Sequence, residues 1–509
     1  MRNKTHIFPI TCLCLLPCCR PSSQSPRDSI NISAPYELDS LDPHECYRLS
    51  DYAIARHFYE PLVRTDAELK IRPCLARSWE TPDPLTWVFH LEPAARFHSG
   101  RTLRPQDVVF SIERLARNPA LGMRTLISSV EDVSAVGPAS VRIRLRRPLG
   151  VFLNKLIFVP VIPEGSDSEA LAAREDGTGP YRLVEWDRRA LVRMIRNEDY
   201  WGRKSALQRV TFLLGRSPKQ GVEDLVSGRC DLATCSEAAL SGTQERLERY
   251  AIYNHPSIFV KYLGYDLARE QTPYCSLTRN PFNNRLVRQA IDLAIDRREL
   301  VAALGVSATP AAQPVPDFIF GYHPAMVPAP HDLARARSLL DQAGLGGGFE
   351  VTLHARQILL TPAELIQQQL ALVGIRVKVE SLPDPEFFQR LARQDASFFI
   401  SRFGCVTGDA SDVLEDCIHS PDTLGCYGGT NYGRYSNPEI DRAIEQSSLE
   451  TDPQVRKRAL QLIMETVAEE RPWIPLYFEK ETYALDKAFT WQPRNDNFIL
   501  AEEIGIAPR

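Results

Sequence analysis

The sequence lacks the features by which several functional classes are recognised. Beyond its first residues it has no run that approaches the roughly 18 uncharged apolar residues of a transmembrane helix. An excess of one charge is also missing, since 60 Lys and Arg face 64 Asp and Glu, a net charge of −4. This balance gives no electrostatic reason to propose a nucleic acid as partner. With 509 residues, 44% of them hydrophobic, the chain is instead typical of a folded globule of two or three lobes.

Motifs of common catalytic and metal sites are missing as well. GxSxG, HExxH and the Walker A pattern do not occur, and Cys230 and Cys235 lack the paired spacing of a structural zinc site. His90 and His98 have no third candidate ligand, so we interpret them as structural. Asp409 and Asp412 could act as general acid and base, but a polar loop facing a cleft explains them with fewer assumptions. We predict no catalytic residue, metal or cofactor, and a hydrolase is the weaker hypothesis.

The N-terminus has the pattern of an export signal. Arg2 and Lys4 precede a short apolar run over residues 7–16, followed by Cys18 and Cys19. The two cysteines resemble a bacterial lipoprotein cleavage box. We expect the mature chain to begin at Cys19, or at Cys18 as the alternative, and to be lipidated there. The competing interpretation is an ordinary N-terminal segment.

Beyond the four leader cysteines, Cys12, Cys14, Cys18 and Cys19, the chain has eight more, and in an exported chain these favour disulfides or buried thiols. Cys417 and Cys426, nine residues apart in a turn-rich segment, are the pair that we expect to form a disulfide.

The stretch 75–115 combines a strand, a turn and a helix. Residues 87–91 alternate in the period of a half-buried strand, and Gly100 marks a turn. An amphipathic helix is predicted over 107–115, with Pro105 suited to its first turn.

Helical spacing over 280–300 predicts another helix, with Asn284 as its N-cap. Further along, a strand at 349–354, a helix at 362–373 and a strand at 374–379 have the βαβ order of a parallel sheet.

Four segments of the stretch 75–115 resemble, in order, a known signature. Leu-Ala-x-Ser-Trp-Glu, Leu-Thr-Trp-x-Phe-His-Leu, Phe-His-x-Gly and Asp-Val-Val-Phe-Ser are similar to the family 5 extracellular solute-binding proteins of peptide and nickel ABC importers. The resemblance implies an α/β, two-lobed periplasmic-binding-protein fold (type II, cluster C-like) with an additional domain. The implied division is a leader and tether (1–29), lobe I (30–43, 178–269 and 479–509), the extra domain (44–177) and lobe II (270–478).

The resemblance also nominates ligand-binding residues, to be enclosed by hinge closure between the lobes. Tyr36 and Glu37 lie at positions upstream of a turn motif, where residues of the family face the ligand cleft; a solvated turn is the alternative interpretation for each. Arg356 is the nearest match to the arginine that grips a peptide carboxylate in dipeptide binders, and Arg402, with the adjacent Phe403, is the second candidate. A guanidinium suits a carboxylate because its planar fork binds it in a bidentate manner.

The loop after this region departs from the family. Tyr432 is retained, and Asp409 and Asp412 lie in the acidic segment, but Val406 stands where dipeptide binders have the aspartate that holds the α-ammonium. A valine cannot pair with a cation, so the case for a peptide is weaker, unless Asp409 takes over that role.

The resemblance therefore implies an exported, lipid-anchored solute-binding component of an ABC importer. We expect a monomer in the periplasm or cell envelope that binds a small molecule or peptide and delivers it to permease subunits. A peptide is the leading ligand; a nickel complex, a sugar or an opine-like anion is the alternative. A ligand sensor with the same fold is a further hypothesis.

Overall fold

The computed structural model describes residues 27–46, 48–118, 120–173, 175–241, 243, 247–305, 307–422 and 427–508. The predicted lipidation positions Cys18 and Cys19 lie outside these residues, as does Cys426 of the predicted disulfide. In the described ranges, no helix is long and apolar enough to span a membrane.

The strands are β1 (Ser29–Ser33), β2 (Val63–Thr65), β3 (Ile71–Pro73), β4 (Ala76–Asp83), β5 (Thr86–Leu91), β6 (Val130–Ala135), β7 (Ser140–Leu145), β8 (Tyr181–Asp187), β9 (Leu191–Arg196), β10 (Arg209–Leu213), β11 (Leu232–Cys235), β12 (Tyr250–Tyr265), β13 (Ala308–Pro310), β14 (Phe349–Arg356), β15 (Ile375–Leu382), β16 (Phe398–Gly404), β17 (Trp473–Asp486), β18 (Phe489–Thr490) and β19 (Gly505–Ile506). The helices are α1 (Leu49–Ala55), α2 (Pro105–Arg117), α3 (Phe152–Leu156), α4 (Ser168–Ala173), α5 (Pro218–Val226), α6 (Glu237–Leu240), α7 (Arg285–Ala294), α8 (Arg297–Leu304), α9 (Leu333–Gln342), α10 (Leu360–Ala371), α11 (Asp384–Ala392), α12 (Ser411–Val413), α13 (Pro438–Leu449) and α14 (Pro453–Glu470).

One mixed sheet runs through both lobes in the order β15-β14-β16-β12-β17-β11-β1-β10-β9-β8, with β13 beside β17. We call the side with β1 and β8–β11 lobe I and the side with β14–β16 lobe II. The long antiparallel strands β12 and β17 belong to both, and their pairing register shifts between Pro256 and Val260, opposite Lys480 and Phe478. We call this place the hinge, because the two strands pass there from one lobe to the other.

Lobe II contains the predicted βαβ unit. β14 pairs in parallel with β15, which follows α10, and also in parallel with β16. The predicted helix over 280–300 is wrong in one respect, since it divides into α7 and α8. Asn284 caps α7 as predicted, but Asp296 caps a second helix by accepting hydrogen bonds from the backbone N–H groups of Arg298 and Glu299.

The extra domain is built on the antiparallel sheet β4-β5-β7-β6, covered by α2. The predicted strand and helix of the stretch 75–115 are β5 and α2, with Pro105 as the first helical residue. His90 Nδ1 lies 3.0 Å from Ser140 Oγ, and His98 Nε2 lies 3.0 Å from the carbonyl oxygen of Gly179. Both histidines therefore hold neighbouring segments together.

The extra domain and lobe I share one hydrophobic core. Phe89 and Ile112 of the extra domain belong to the same buried cluster as Ile32 and Phe212 of lobe I. Lobe II has its own clusters, around Phe282 and around Val260. The molecule thus has two packed bodies, and the cleft lies between them.

Polar contacts join these two bodies across the cleft. Lys155 Nζ lies 3.0 Å from Glu415 Oε2. Asn154 Nδ2 donates to the carbonyl oxygen of Thr407 at 2.8 Å, and the Gly150 N–H donates to that of Ser448 at 2.8 Å. Such contacts can open without disrupting either core.

Candidate functional site

Charged side chains collect beside the hinge, on one face of the central strands. Lys261 of β12 and Arg402 of β16 are direct cross-strand neighbours, so their side chains share a face. Glu479 and Glu481 lie two residues apart on β17 and therefore also share a face. Arg356, at the end of β14, adds its charge to that of Arg402. We call these five residues and Asp384 the charged floor.

Two ion pairs form within the charged floor. Arg356 Nε donates to Asp384 Oδ1 at 2.8 Å, and its guanidinium lies 5.2 Å from the ring centroid of Phe388. The hydrogen bond from Arg356 holds the pKa of the Asp384 carboxyl below its usual value. The Lys261 ammonium pairs with the Glu479 carboxylate. Arg356, a predicted ligand residue, thus already has a carboxylate partner.

Arg402 and Glu481 are half-buried and differ from these pairs. Among the described residues, neither side chain forms an ion pair within 4.0 Å, and neither side chain has a hydrogen bond. The Arg402 guanidinium lies 4.4 Å from the ring centroid of Phe259. Burial lowers the pKa of Arg402, and burial raises the pKa of Glu481. A cation and a carboxylate are therefore available to a solute at this face.

Tyr36 approaches the floor from lobe I. Its hydroxyl donates to the carbonyl oxygen of Asn497 at 2.9 Å and accepts from the Ile499 N–H at 3.0 Å. Burial raises the pKa of Tyr36, and the charge of Glu481 acts in the same direction. Because its hydroxyl already donates one hydrogen bond and accepts another, Tyr36 contributes its ring to the site rather than a polar group.

A cavity of about 230 Å³ lies between the extra domain and lobe II. Its lining residues come from both bodies: Cys46, Arg48, Leu49, Tyr52, Met123, Thr125, Leu126, Phe158, Val406, Thr407 and Asp412. Glu37 is connected to this cavity because its carboxylate lies 2.8 Å from Arg48 Nη1. Val406 makes this wall apolar where dipeptide binders of the resembled family have an aspartate.

Asp412 brings a carboxyl group to the same cavity. Burial, followed by the charge of Asp416, raises the pKa of Asp412 to about 7. The Thr407 N–H donates to Asp412 Oδ2 at 3.3 Å.

Three of the predicted ligand residues lie elsewhere. Asp409 is 4% exposed, and its carboxylate binds the Arg456 guanidinium at 2.5 and 2.7 Å. We therefore correct Asp409 from a ligand residue to half of a structural ion pair. Phe403 lies opposite Val260, on the face of β16 that turns away from Arg402 and packs on the lobe II core. Tyr432 packs near Phe399 within that core.

Lys261, Glu479 and Glu481 are not among the ligand residues predicted from the sequence. A usable signal was the pair Glu479 and Glu481, which places two charges on a strand face whose other residues are Trp473, Pro475, Tyr477, Tyr483 and Leu485. Cys417 has its thiol 3.2 Å from Thr430 Oγ1; its pairing with Cys426 stays a prediction. Within the described residues, no cluster of three or more His, Cys, Asp and Glu residues is arranged to hold a metal.

Comparison with known protein families then identifies the functional class of the protein. The model of the bacterial extracellular solute-binding proteins, family 5 (Middle), matches residues 70–423, more than half of the chain. The chain belongs to this family. As a family 5 protein it is an exported solute carrier that serves an ABC importer, and it is not an enzyme. The class expected from the stretch 75–115 is confirmed.

Relatives of this family 5 chain extend the match over most of its length. It is 29% identical over 479 residues to the glutathione-binding protein GsiB of Escherichia coli O1:K1 / APEC, with 89% of each chain covered. The substrate-binding protein CtaP from Listeria monocytogenes superposes with a TM-score of 0.81 at 20% identity, covering 94% of this chain and 99% of CtaP. DppA from Helicobacter pylori, in complex with the peptide STSA, gives 0.79 at 21% identity, covering 94% and 98%. These likenesses confirm the two-lobed type II fold.

Proposed function

We propose that this family 5 protein captures a short peptide between its lobes and delivers it to the permease of an ABC importer. The observation that carries the proposal is the Arg402 guanidinium, which lies in the charged floor beside the hinge and forms no ion pair within 4.0 Å among the described residues. A peptide provides the carboxylate that fits this planar fork. The names of GsiB, a glutathione-binding protein, and of DppA with its bound peptide support the same ligand class.

Three further parts of the proposal concern the membrane anchor, the oligomeric state and the role of the carrier. We infer a lipid anchor at Cys19, with Cys18 as the alternative, and a monomeric carrier. Transport, rather than sensing alone, is also part of the proposal.

An opine-like acid is the second candidate ligand, because it too presents carboxylates to Arg402. A nickel complex or a sugar has less support, since neither needs an unpaired guanidinium beside the hinge.

A thermal-shift screen followed by calorimetry tests the ligand class. Glutathione, trialanine, a nickel–histidine complex, an oligosaccharide and an opine-like acid are compared on the purified protein. A true ligand stabilises the fold by about 2.7 kcal/mol at a hundredfold excess over its Kd, and we expect this of the peptides. Mass spectrometry should recover the peptide unchanged. Stabilisation by the opine-like acid, nickel complex or sugar alone would contradict the peptide proposal.

A further inference from the structure

Two groups of the charged floor, one cation and one carboxylate, take part in neither of its ion pairs. The charged floor contains three cations and three carboxylates, and its ion pairs are Arg356 with Asp384 and Lys261 with Glu479. Among the described residues, Arg402 and Glu481 form no ion pair within 4.0 Å, although the charge of each acts on the other. A ligand with one positive and one negative group would complete this balance.

Arg402 and Glu481 lie on opposite sides of the hinge. Arg402 of β16 is the cross-strand neighbour of Lys261 of β12, in lobe II. Glu481 lies opposite His255, on the lobe I side of the register shift between Pro256 and Val260. Stacking of Arg402 on Phe259 keeps its guanidinium on the lobe II side. A ligand that binds both groups would therefore connect the lobes.

Keeping Glu481 unpaired has a cost in the unliganded protein. A partly buried carboxylate without a partner is destabilised relative to a neutral side chain of the same shape. The raised pKa of Glu481, caused by burial, agrees with that cost. Buried titratable groups with shifted pKa values are concentrated at functional sites, where a bound ligand can offset the free-energy cost of their desolvation.

The usual ammonium-binding position offers no alternative. Val406 occupies it, and Asp409 is neutralised by Arg456. Asp412 lines the same cavity as Val406, but burial raises the pKa of its carboxyl to about 7. Within the charged floor, Glu481 is the carboxylate left for the ammonium of a peptide, because Asp384 and Glu479 have cationic partners.

We propose that Glu481 binds the ammonium group of a zwitterionic ligand while Arg402 binds its carboxylate, so that the ligand bridges the two lobes across the hinge. The proposal rests on the proposed function, because it names the groups that read a peptide's two charged ends. It makes Glu481 the residue that selects ligands with a free amine over acids without one.

Calorimetry with matched ligands and variants tests Glu481. Trialanine and N-acetyl-trialanine are titrated into the wild type, Glu481→Gln and Glu350→Gln, the last an exposed carboxylate that pairs with Arg376. Glu481→Gln should weaken trialanine by about 10- to 100-fold. It should bind N-acetyl-trialanine within about twofold of the wild type, because the acetylated ligand has no ammonium to lose. Glu350→Gln should bind both like the wild type.

Several results would overturn the proposal. Trialanine binding by Glu481→Gln within about twofold of the wild type would refute the role of Glu481 while leaving the peptide function intact. A lower unliganded Tm together with loss of N-acetyl-trialanine binding would show that Glu481 is structural, since removing an unpaired charge should leave Tm equal or higher. If neither glutathione nor trialanine binds the wild type, the proposed function itself fails, and this assignment fails with it.

Discussion

The arginines at positions 356 and 402 have the same chemistry and different surroundings. Arg356 is buried against Asp384 and Phe388, whereas Arg402 stacks on Phe259 without a described carboxylate partner. A guanidinium that is already paired gains less from a ligand carboxylate than one that is free. The two residues therefore make a matched pair for mutation.

Arg402→Ala should weaken a peptide ligand by about 1.5–3 kcal/mol, the range for a hydrogen bond to a charged group. Arg356→Ala should weaken it less, because its main effect is to leave Asp384 unpaired. Titration of trialanine and its C-terminal amide measures this: the preference for the free carboxylate should shrink in Arg402→Ala and persist in Arg356→Ala. A larger loss in Arg356→Ala would reverse the assignment of the carboxylate-binding residue.

Asp412 makes stability depend on pH. Its pKa of about 7 in the folded protein exceeds the ordinary aspartate value, so the folded chain binds the additional proton between these pH values. Stability is therefore lost as pH rises from about 4 to about 7, by about 1.4 kcal/mol for each unit of pKa difference. Burial is the main cause, and the charges of Asp416 and Glu415 oppose that of Lys155.

Asp412→Asn should raise the free energy of unfolding at pH 8 and change it little at pH 4, because the amide carries no charge to bury. Denaturant titrations at both pH values, on both proteins, give the comparison. Equal stabilities at pH 8 would mean that the Asp412 carboxylate is solvated or paired in the folded protein.

At the scale of elements, the loop before α3 meets the segment after α13. An added Cβ at Gly150 would lie 2.2 Å from the carbonyl oxygen of Glu450, closer than any packing allows. The two residues belong to different bodies, the extra domain and lobe II. The close approach is therefore a feature of the contact between bodies, not of either core.

Gly150→Ala should hinder closure and weaken ligand binding by about tenfold, since the bound state must hold the cleft slightly open. Unliganded Tm should change little, because the contacts between the two bodies can open without disrupting either core. Gly347→Ala is the control, because an added Cβ there meets nothing within 4 Å. Calorimetry and small-angle scattering of the liganded protein measure the effect. Unchanged affinity in Gly150→Ala would show that ligand binding does not need this contact.

At the scale of the whole molecule, β12 and β17 connect the two bodies, and we expect any relative motion of the bodies to bend these strands at the hinge. The extra domain shares its core with lobe I, so we expect it to move with lobe I, and polar contacts such as Lys155 with Glu415 close the far side of the cleft. A carrier also has to stay near its permease, and the N-terminal cysteines are our proposal for how this chain does so.

Replacing both Cys18 and Cys19 with Ser should move the protein from the membrane to the soluble fraction. Stable anchoring takes more than one acyl chain, and a lipidated N-terminal cysteine would provide them. The pair Cys12→Ser and Cys14→Ser, within the apolar run, is the control and should stay membrane-bound. Fractionation followed by mass spectrometry of the N-terminus measures the outcome. A double mutant of Cys18 and Cys19 that remains in the membrane would disprove the lipoprotein proposal.

The sequence by itself determined the local elements and the family. Period-two and helical spacing placed β5, α2 and the β14-α10-β15 unit, because these patterns follow from which face of each element is buried. The sequence pattern did not predict the division between α7 and α8, because the apolar spacing continues across the cap at Asp296. Four motifs within one stretch were enough to indicate a solute-binding protein.

Only the tertiary structure decided which charges remain for a ligand. Asp409 is neutralised by Arg456, 47 residues away, and Arg356 by Asp384 on another element. Glu481 and Arg402 come to one face through the pairing of β12 with β16 and β17. Whether a charged side chain is free depends on partners that are distant along the chain, and burial then fixes how strongly an unpaired charge attracts a solute.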